Sequence, residues 1–324
     1  MLIDDGKQIL DMEDEGWKTL NSIKTQAARL DFTDMRGPKI AVGITKSSGN
    51  SMPFSNQKLR NSLKRTGADE QTITNIANKV QEELYEGIST KEIYNRAYAL
   101  LKKHKGHLAS KYKLKKAIYE LGPTGFPFEI FISKILQYSG YKTEVGQIVQ
   151  GKCVSHEIDV LAYKDTHAIM IECKFHGEQG LNSNVKVPLY IHSRFLDVEK
   201  AWNSSKNKNF LKEGWVVTNT RFTENAVQYG ECAGLYLLSW DYPNNESLRD
   251  RIDALGLYPI TVSTLLTNRE KQFLLSRNVV LCRQLIGDAF YLDHLGISDA
   301  RKAKILDEIE ALCKTSKYYN EVSS

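Results

Sequence analysis

The hydrophobic pattern of this sequence changes character after the LGPTG break at residues 121–125. The segment FEIFISKIL carries five apolar residues at helical spacing: Phe128, Phe131, Ile132, Ile135 and Leu136. Such a stripe is typical of a helix that packs against a sheet. Strand-like stretches follow at about 141–149, 157–163 and 168–175. A short polar connection joins the last two stretches, so we expect them to pair as a hairpin.

Two further apolar stretches, at 215–219 and 235–240, are predicted as buried strands, with a helix between them at 223–232. The resulting order of helix, hairpin, helix, strand, helix and strand is typical of an α/β sandwich. From about residue 247 onward the pattern predicts helices alone.

A smaller and mainly helical unit is predicted ahead of the sandwich. A short strand at 39–45 follows the break at Gly37-Pro38, and Thr90 is expected at the start of a later helix. Helical patterns occupy roughly 56–66, 69–86, 89–104 and 108–121. We therefore predict five parts. They are an N-terminal helical arm (1–37), a small domain (38–105), a basic connecting helix (106–121), an α/β domain (122–245) and a helical C-terminal region (246–324).

Composition narrows the class of protein. The chain has 324 residues, of which 41% are hydrophobic and 26% charged, as in an ordinary globular protein. It has no run of eighteen apolar residues, so no membrane span is expected, and its acidic start is unlike a secretory signal. We therefore expect a cytoplasmic protein. A net charge of +5 permits a nucleic-acid partner without requiring one.

The five cysteines exclude two kinds of scaffold. They are Cys153, Cys173, Cys232, Cys282 and Cys313. These positions lie far apart and form no CxxC pair. A zinc ribbon needs closely spaced cysteines and a disulfide framework needs evenly paired ones. We therefore expect reduced and mostly buried thiols.

Three carboxylates and one lysine form the candidate catalytic group. Glu172 and Lys174 are two residues apart at the end of an apolar strand, so their side chains leave the same face. Asp159 lies on the preceding strand, and Glu129 lies in the first turns of the apolar helix. Glu157, beside Asp159, is a rival metal ligand.

This set of residue types suits phosphodiester hydrolysis. Mg²⁺ prefers oxygen ligands and keeps several waters, so one or two carboxylates and a substrate phosphate complete its shell. The metal withdraws charge from phosphoryl oxygens and lowers the pKa of a bound water. A neighbouring lysine can orient that water and offset negative charge. The alternative is a surface carboxylate–lysine pair on a strand edge.

Residues 122–243 resemble the Mrr-type branch of the PD-(D/E)xK restriction-endonuclease superfamily. The resemblance rests on GPTGFPFE (122–129), HEIDV (156–160), IECKF (171–175) and WVVTNTRF (215–222). It implies an α/β/α core with a mixed sheet, a nucleic-acid substrate with DNA favoured over RNA, and a site that uses Mg²⁺ or Mn²⁺. The implied site residues are Glu129, Asp159, Glu172 and Lys174, with the first three as metal ligands. Ile158 stands where the family name has proline.

Residues 38–105 resemble the ATP-cone, the nucleotide-binding module of ribonucleotide reductases and their repressors. The resemblance rests on ITKSSGNSMPFSNQKL, GISTKEIY and the basic ASKYKLKKA. It implies that Lys46, Lys58 and Thr90 hold ATP or dATP. Ser47 replaces an arginine that the family usually has, and Met52 replaces an acidic residue.

The lysine-rich stretch at 102–116 leaves three interpretations open. Lys111, Lys113 and Lys115 can bind phosphates of a duplex, close over a triphosphate in the cone, or form a solvated helix face. Among these we predict Lys111 and Lys113 as nucleotide contacts.

Together these features predict an α/β nuclease with a helical cone domain in front and a helical region behind. We expect an Mg²⁺-dependent DNA endonuclease regulated by ATP or dATP. Cleaving both strands needs two sites, so we expect a homo-oligomer, and at family level a role in bacterial defence. The alternatives are a nucleotide-sensing DNA-binding regulator and an inactive nuclease fold that serves as an assembly subunit. A regulator that resembles the reductase repressors would carry a zinc ribbon, so the missing CxxC pairs count against the first alternative. The complete group of acids counts against the second, because like charges that converge are costly and an inactive protein has no physical reason to keep them.

Overall fold

The computed structural model describes residues 42–45, 49–205 and 207–314. The predicted N-terminal arm and Lys46 lie outside the described residues. The described residues from Gly43 onward belong to one compact unit.

A three-stranded sheet and three helices form the small N-terminal domain. The strands, in the order β2-β1-β3, are β1 (Gly43–Thr45), β2 (Ser51–Pro53) and β3 (Ile88–Ser89). The helices are α1 (Asn56–Lys64), α2 (Glu70–Glu82) and α3 (Thr90–His104). Each begins after a polar cap, and in α3 the cap is Ser89, which accepts from the Glu92 N–H at 3.1 Å. Thr90 is therefore the first helical residue and not the cap.

The stretch predicted as one basic helix consists of two short helices, α4 (Gly106–Tyr112) and α5 (Leu114–Tyr119), which meet at Lys113. They serve different cores. Leu108 of α4 packs into the core of the small domain, whereas Leu114 of α5 packs into the core beneath the large sheet. A single straight helix would place both apolar stripes along one line, so the break lets each half turn towards its own core.

The α/β domain is built on a five-stranded mixed sheet in the order β10-β8-β6-β5-β4. The strands are β4 (Lys142–Gln150), β5 (Ser155–Lys164), β6 (His167–Lys174), β8 (Phe210–Thr218) and β10 (Tyr236–Leu238). Strands β4, β5 and β6 are antiparallel neighbours, so the predicted hairpin is confirmed, while β6, β8 and β10 run parallel. A small parallel pair joins β7 (Asn182–Ser183) to β9 (Arg221–Phe222).

Helices cover both faces of this sheet, as the α/β sandwich order predicts. Helix α6 (Phe126–Tyr138) packs its predicted apolar stripe on one face, where Phe128 and Phe131 are fully buried. Helices α7 (Lys186–Ser204) and α8 (Glu224–Cys232) lie on the other side, with Ile191 and Phe195 of α7 in the second core. The predicted fold class is therefore confirmed.

The remainder of the described chain is helical, as expected, and packs on the same side as α6. It contains α9 (Leu248–Leu255), a 3₁₀ turn (Ile260–Val262), α10 (Asn268–Ser276), α11 (Gln284–Gly287), α12 (Phe290–His294) and α13 (Asp299–Cys313). Glu308 of α13 accepts from the Ser110 hydroxyl of α4 at 2.7 Å. This contact joins the C-terminal region to the connector, the name used below for α4 and α5 together. Within the described ranges, no helix combines the length and apolarity needed to cross a membrane.

Candidate functional sites

The hairpin of β5 and β6 brings two of the predicted carboxylates to one place. The antiparallel pairing starts at Val160 and Ile171, so Asp159 and Glu172 lie just beyond the last paired residues. There the Cys173 N–H donates to the Asp159 carboxylate at 2.7 Å, and a side chain takes the place of a backbone acceptor. The point where the strands cease to pair therefore carries both acids.

The three predicted carboxylates share one electrostatic environment. Burial and the nearby Asp159 charge raise the pKa of Glu129 to about 7, and the same two causes raise the pKa of Glu172 to about 7. Burial also raises the pKa of Asp159. Glu129 lies in the first turn of helix α6 and not on a strand, yet the Asp159 charge contributes to the rise in its pKa, and its own charge contributes to the rise in the pKa of Glu172. Negative charge is therefore concentrated here with incomplete compensation.

Lys174 ends β6 and is exposed to solvent. Burial raises the pKa of both Asp159 and Glu172, and the Lys174 charge partly opposes that rise, so the ammonium group lies within electrostatic reach of both acids. The chain just beyond it is held in place: the His176 N–H donates to the Asn219 side chain at 2.8 Å, and the Asn219 amide donates back to the His176 carbonyl at 2.8 Å. These two hydrogen bonds fix the backbone just after Lys174, at the end of β6.

Arg194 is a site residue that the sequence did not reveal. From helix α7 its guanidinium donates to the Glu172 carboxylate at 2.8 Å, and it also donates to the backbone carbonyl of Glu157. The Arg194 side chain is 11% exposed and lies over the Tyr190 ring at 5.5 Å. Its only signal in the sequence is its position three residues after Ile191, next to the buried stripe of α7, and many surface arginines share such a position.

The donor chemistry of the acids decides whether they can hold a metal ion. Within the part of the chain that the structure describes, there is no group of three or more His, Cys, Asp or Glu side chains arranged to hold a metal ion. The Asp159 carboxylate accepts from a backbone N–H and the Glu172 carboxylate accepts from Arg194. Mg²⁺ nevertheless needs only one or two carboxylates from a protein, with waters and substrate phosphate as the rest. Asp159 and Glu172 fit that smaller requirement.

The second candidate site is a cavity of about 350 Å³ in the small domain. Lys58, in the first turn of α1, and Thr90 both line it, as the ATP-cone resemblance implies. Much of the remaining wall is apolar, formed by Ile44, Met52, Pro53, Phe54, Leu59 and Ile93. Met52, which replaces an acidic residue of the family, therefore faces this cavity.

Lys111, Lys113 and Lys115, the candidate phosphate contacts of the lysine-rich stretch, have different surroundings. Lys113 donates to the Glu120 carboxylate at 2.7 Å and to the Thr261 carbonyl at 3.1 Å, so its ammonium ties the connector to the C-terminal region. Lys111 and Lys115 line another cavity, of about 240 Å³. Partial burial lowers the pKa of both, although Lys115 keeps a large exposed surface.

Comparison with known domain families divides the chain in the predicted order. Residues 42–119 match the ATP cone domain and residues 123–241 match a restriction endonuclease domain. Residues 258–313 match a domain described as AF1548-like, C-terminal. Both resemblances inferred from the sequence are confirmed.

Comparison with whole proteins finds relatives that match part of this chain. An uncharacterized protein of Archaeoglobus fulgidus is 35% identical over 178 residues, which is 55% of this chain and 97% of that protein. A crystal structure of AF1548, a protein of unknown function, is similar with 31% identity and a TM-score of 0.49, over 60% of this chain and 100% of that one. The MspJI restriction endonuclease in complex with a 27-mer oligonucleotide is similar over 67% of this chain and 40% of that one, but 12% identity and a TM-score of 0.28 carry no functional argument. The chain therefore belongs to the family of the Archaeoglobus fulgidus protein, with an ATP cone domain ahead of a restriction endonuclease domain and an AF1548-like C-terminal domain.

Proposed function

We propose that this protein is a metal-dependent endonuclease that hydrolyses phosphodiester bonds of DNA, and that ATP or dATP bound to the cone domain regulates it. The observation that carries the proposal is the meeting of Asp159 and Glu172 where β5 and β6 cease to pair, with Lys174 two residues beyond Glu172 and Glu129 near enough for the Asp159 charge to contribute to the rise in its pKa. It occurs in a domain that matches a restriction endonuclease. Acids that are buried together and only partly compensated by Arg194 and Lys174 favour the binding of a divalent cation.

In this proposal Asp159 and Glu172 hold Mg²⁺, or Mn²⁺ in its place, and Glu129 assists directly or through water. A divalent ion held there would supply polarisation of the phosphoryl group and a lower pKa for a bound water. Lys174 orients the attacking water and offsets the negative charge that develops on phosphate. Glu129, with a pKa of about 7, can take up or release a proton near neutral pH.

Arg194 has a positioning role in the same proposal. Its charge lowers the pKa of Glu172, against the effects of burial and of Asp159. It thereby keeps a larger fraction of Glu172 ionised at neutral pH, the form that binds a cation. It also fixes the side chain of Glu172 from helix α7.

The nucleotide part of the proposal rests on the cavity of the small domain. Lys58 supplies a point charge for phosphate and Thr90 a hydroxyl, while the apolar wall suits a base. Lys46 and Lys111 are proposed as further phosphate contacts, and so is Lys113, on condition that it releases Glu120. Because α3 leads directly into α4 and α5, an ordering of the cone on binding can reach the core beneath the large sheet.

The decisive experiment is cleavage of a supercoiled plasmid with Mg²⁺, Mn²⁺ or a chelator, each with and without ATP and dATP. Lys174→Ala and Asp159→Asn are expected to lower the rate by about 10²-fold or more, in the range that positioned acid–base and electrostatic groups contribute. Lys142→Ala is the matched control, because Lys142 is an exposed lysine on the same sheet, in β4. It is expected to cleave like the wild type.

Absence of cleavage under every condition, with DNA still bound, would contradict the nuclease and favour a nucleotide-sensing regulator or an inactive assembly subunit. A parallel assay on single-stranded RNA separates the two substrate classes. Sedimentation of the active form tests the expectation that cutting both strands needs a homo-oligomer with two sites.

A further inference from the structure

A second cavity, of about 240 Å³, lies where the cone domain, the connector and the α/β domain meet the C-terminal region. Four cationic side chains line it, and each comes from a different element. Arg65 caps the end of α1, Lys111 lies in α4, Lys115 lies in α5 and Arg249 lies in α9. We call this the cationic cavity.

The charges around the cationic cavity are unbalanced. Among the described residues that line it, Asp253 is the one carboxylate against four cations, and its single charge is shared between Lys111 and Arg249. Arg249 pairs with its neighbour Asp250 at 3.2 Å, but Asp250 also caps helix α9 through Ser247. Lys115 feels the positive charges of both Arg249 and Arg221, with Asp241 opposing them. An anion in the cavity would relieve this repulsion.

An unpartnered hydroxyl gives an independent sign of a ligand. The Tyr94 hydroxyl is buried and has no hydrogen-bond partner among the described residues. Buried polar atoms normally have one, and an orphan calls for an explanation such as a bound group. Tyr94 lines both the cationic cavity and the cavity of the small domain that is lined by Lys58 and Thr90, which we call the cone cavity. Ser62 and Tyr112 also line both. The two cavities are therefore neighbours that share a wall.

Two further features of the wall suit a phosphate-bearing molecule. The Lys115 ammonium lies over the Trp240 ring at 5.8 Å, and the Lys111 ammonium lies over the Tyr258 ring at 5.6 Å. The aromatic face fixes the direction of each lysine, and an ammonium group can donate to more than one acceptor. Arginine and lysine together provide forked and single-point contacts to phosphate oxygens.

We propose that the cationic cavity binds the phosphate groups of a nucleotide and thereby links the cone domain to the α/β domain. Those phosphates belong either to a nucleotide whose base lies in the neighbouring cone cavity or to a second molecule. The first source rests on the proposed function of the cone cavity, and the second does not. In both cases Arg65 of the cone and Arg249 of α9 contact the same anion.

The test is direct binding by the full-length protein of tripolyphosphate, ATP and AMP, measured by titration calorimetry. Lys115→Met and Arg249→Gln are each expected to weaken tripolyphosphate binding about tenfold, the effect of losing one charge-assisted contact. Lys116→Met is the matched control, since Lys116 is exposed on the same short helix and outside the cavity wall. Thermal unfolding of each variant establishes that it is folded.

Competition separates the two sources. ATP that displaces tripolyphosphate supports the shared nucleotide, and simultaneous binding of both supports a second molecule. Lys58→Met, in the cone cavity, should weaken ATP binding and leave tripolyphosphate binding intact. Tripolyphosphate binding without ATP binding would overturn the proposed role of the cone cavity but support this site. Two results would overturn the proposal for the cationic cavity. One is an unchanged tripolyphosphate affinity in folded Lys115→Met and Arg249→Gln, and the other is no tripolyphosphate binding by the wild type at millimolar concentration.

Discussion

Arg194 donates a hydrogen bond of 2.8 Å to the carboxylate of Glu172, from a helix on one side of the sheet to the end of a central strand. The contact has two opposing consequences for a metal at Glu172. Arg194 opposes the rise in the pKa of Glu172 that burial and Asp159 cause, and so favours the ionised form, yet it occupies an oxygen that a metal would need. The balance between these consequences can be measured.

Replacement of Arg194 by Gln should shift the pH dependence of cleavage. Without the guanidinium, the pKa of Glu172 rises further, so the rising limb of the pH–rate profile moves up by as much as about one pH unit. Well above that limb, less Mg²⁺ should be needed for half-maximal rate because the competing cation is gone. Plasmid cleavage from pH 6 to 9 across a range of Mg²⁺ concentrations measures both effects. Arg194→Lys keeps the charge and should restore the profile, and an unchanged profile in Arg194→Gln would contradict the role.

Stability in a chelator should fall as pH rises from about 4 to about 7 and then level off. The pKa of Glu129 and the pKa of Glu172 are each raised to about 7, so the folded state favours their protonated forms. This contribution to stability is complete below the ordinary glutamate pKa of about 4.3 and is lost as pH rises through about 7. Glu172→Gln mimics the protonated form and should flatten the dependence, as followed by urea unfolding at each pH. Exposed Glu178, changed to Gln, is the control and should leave it unaltered.

Lys58 and Thr90 should contribute separately to nucleotide binding. Lys58→Met is expected to weaken ATP binding about tenfold and AMP binding less, because the ammonium contacts phosphate. Thr90→Val removes one hydroxyl and should weaken both nucleotides to a similar, smaller extent. Calorimetric titration gives the affinities, with Lys64→Met as the control at the exposed end of the same helix, α1. Equal losses of ATP affinity in Lys58→Met and Lys64→Met would rule out a specific phosphate contact.

Glu308 should be important for stability and not for chemistry. Its buried carboxylate accepts from the Ser110, Ser263 and Thr264 hydroxyls at 2.7, 2.6 and 2.7 Å. Glu308→Ala leaves these donors without a partner and should lower the free energy of unfolding by about 1–3 kcal/mol. Glu310→Ala, whose partly exposed side chain pairs with Lys314, should change it by less than about 0.5 kcal/mol. Urea unfolding of both variants makes the comparison, and similar values would show that the Glu308 contacts contribute little.

The sequence predicted the large domain well because its elements are written in local periodicity. The apolar stripe from Phe128 to Leu136 identified helix α6, and alternation placed Glu172 and Lys174 on one face of β6. Prediction was weaker where a boundary depends on packing elsewhere. The single helix expected at 108–121 breaks at Lys113 because its two halves belong to different cores, which no local pattern records.

The sequence by itself therefore determined the order of domains, the mixed α/β core and the candidate acids. The tertiary structure alone decided what surrounds those acids. Arg194 reaches Glu172 only because helix α7 lies across the sheet in one register, and Arg65, Lys115 and Arg249 meet only because three separate elements close on one cavity. Periodicity is a property of neighbours along the chain, whereas convergence of distant side chains depends on how helices and sheet pack, and packing is fixed by the whole core at once.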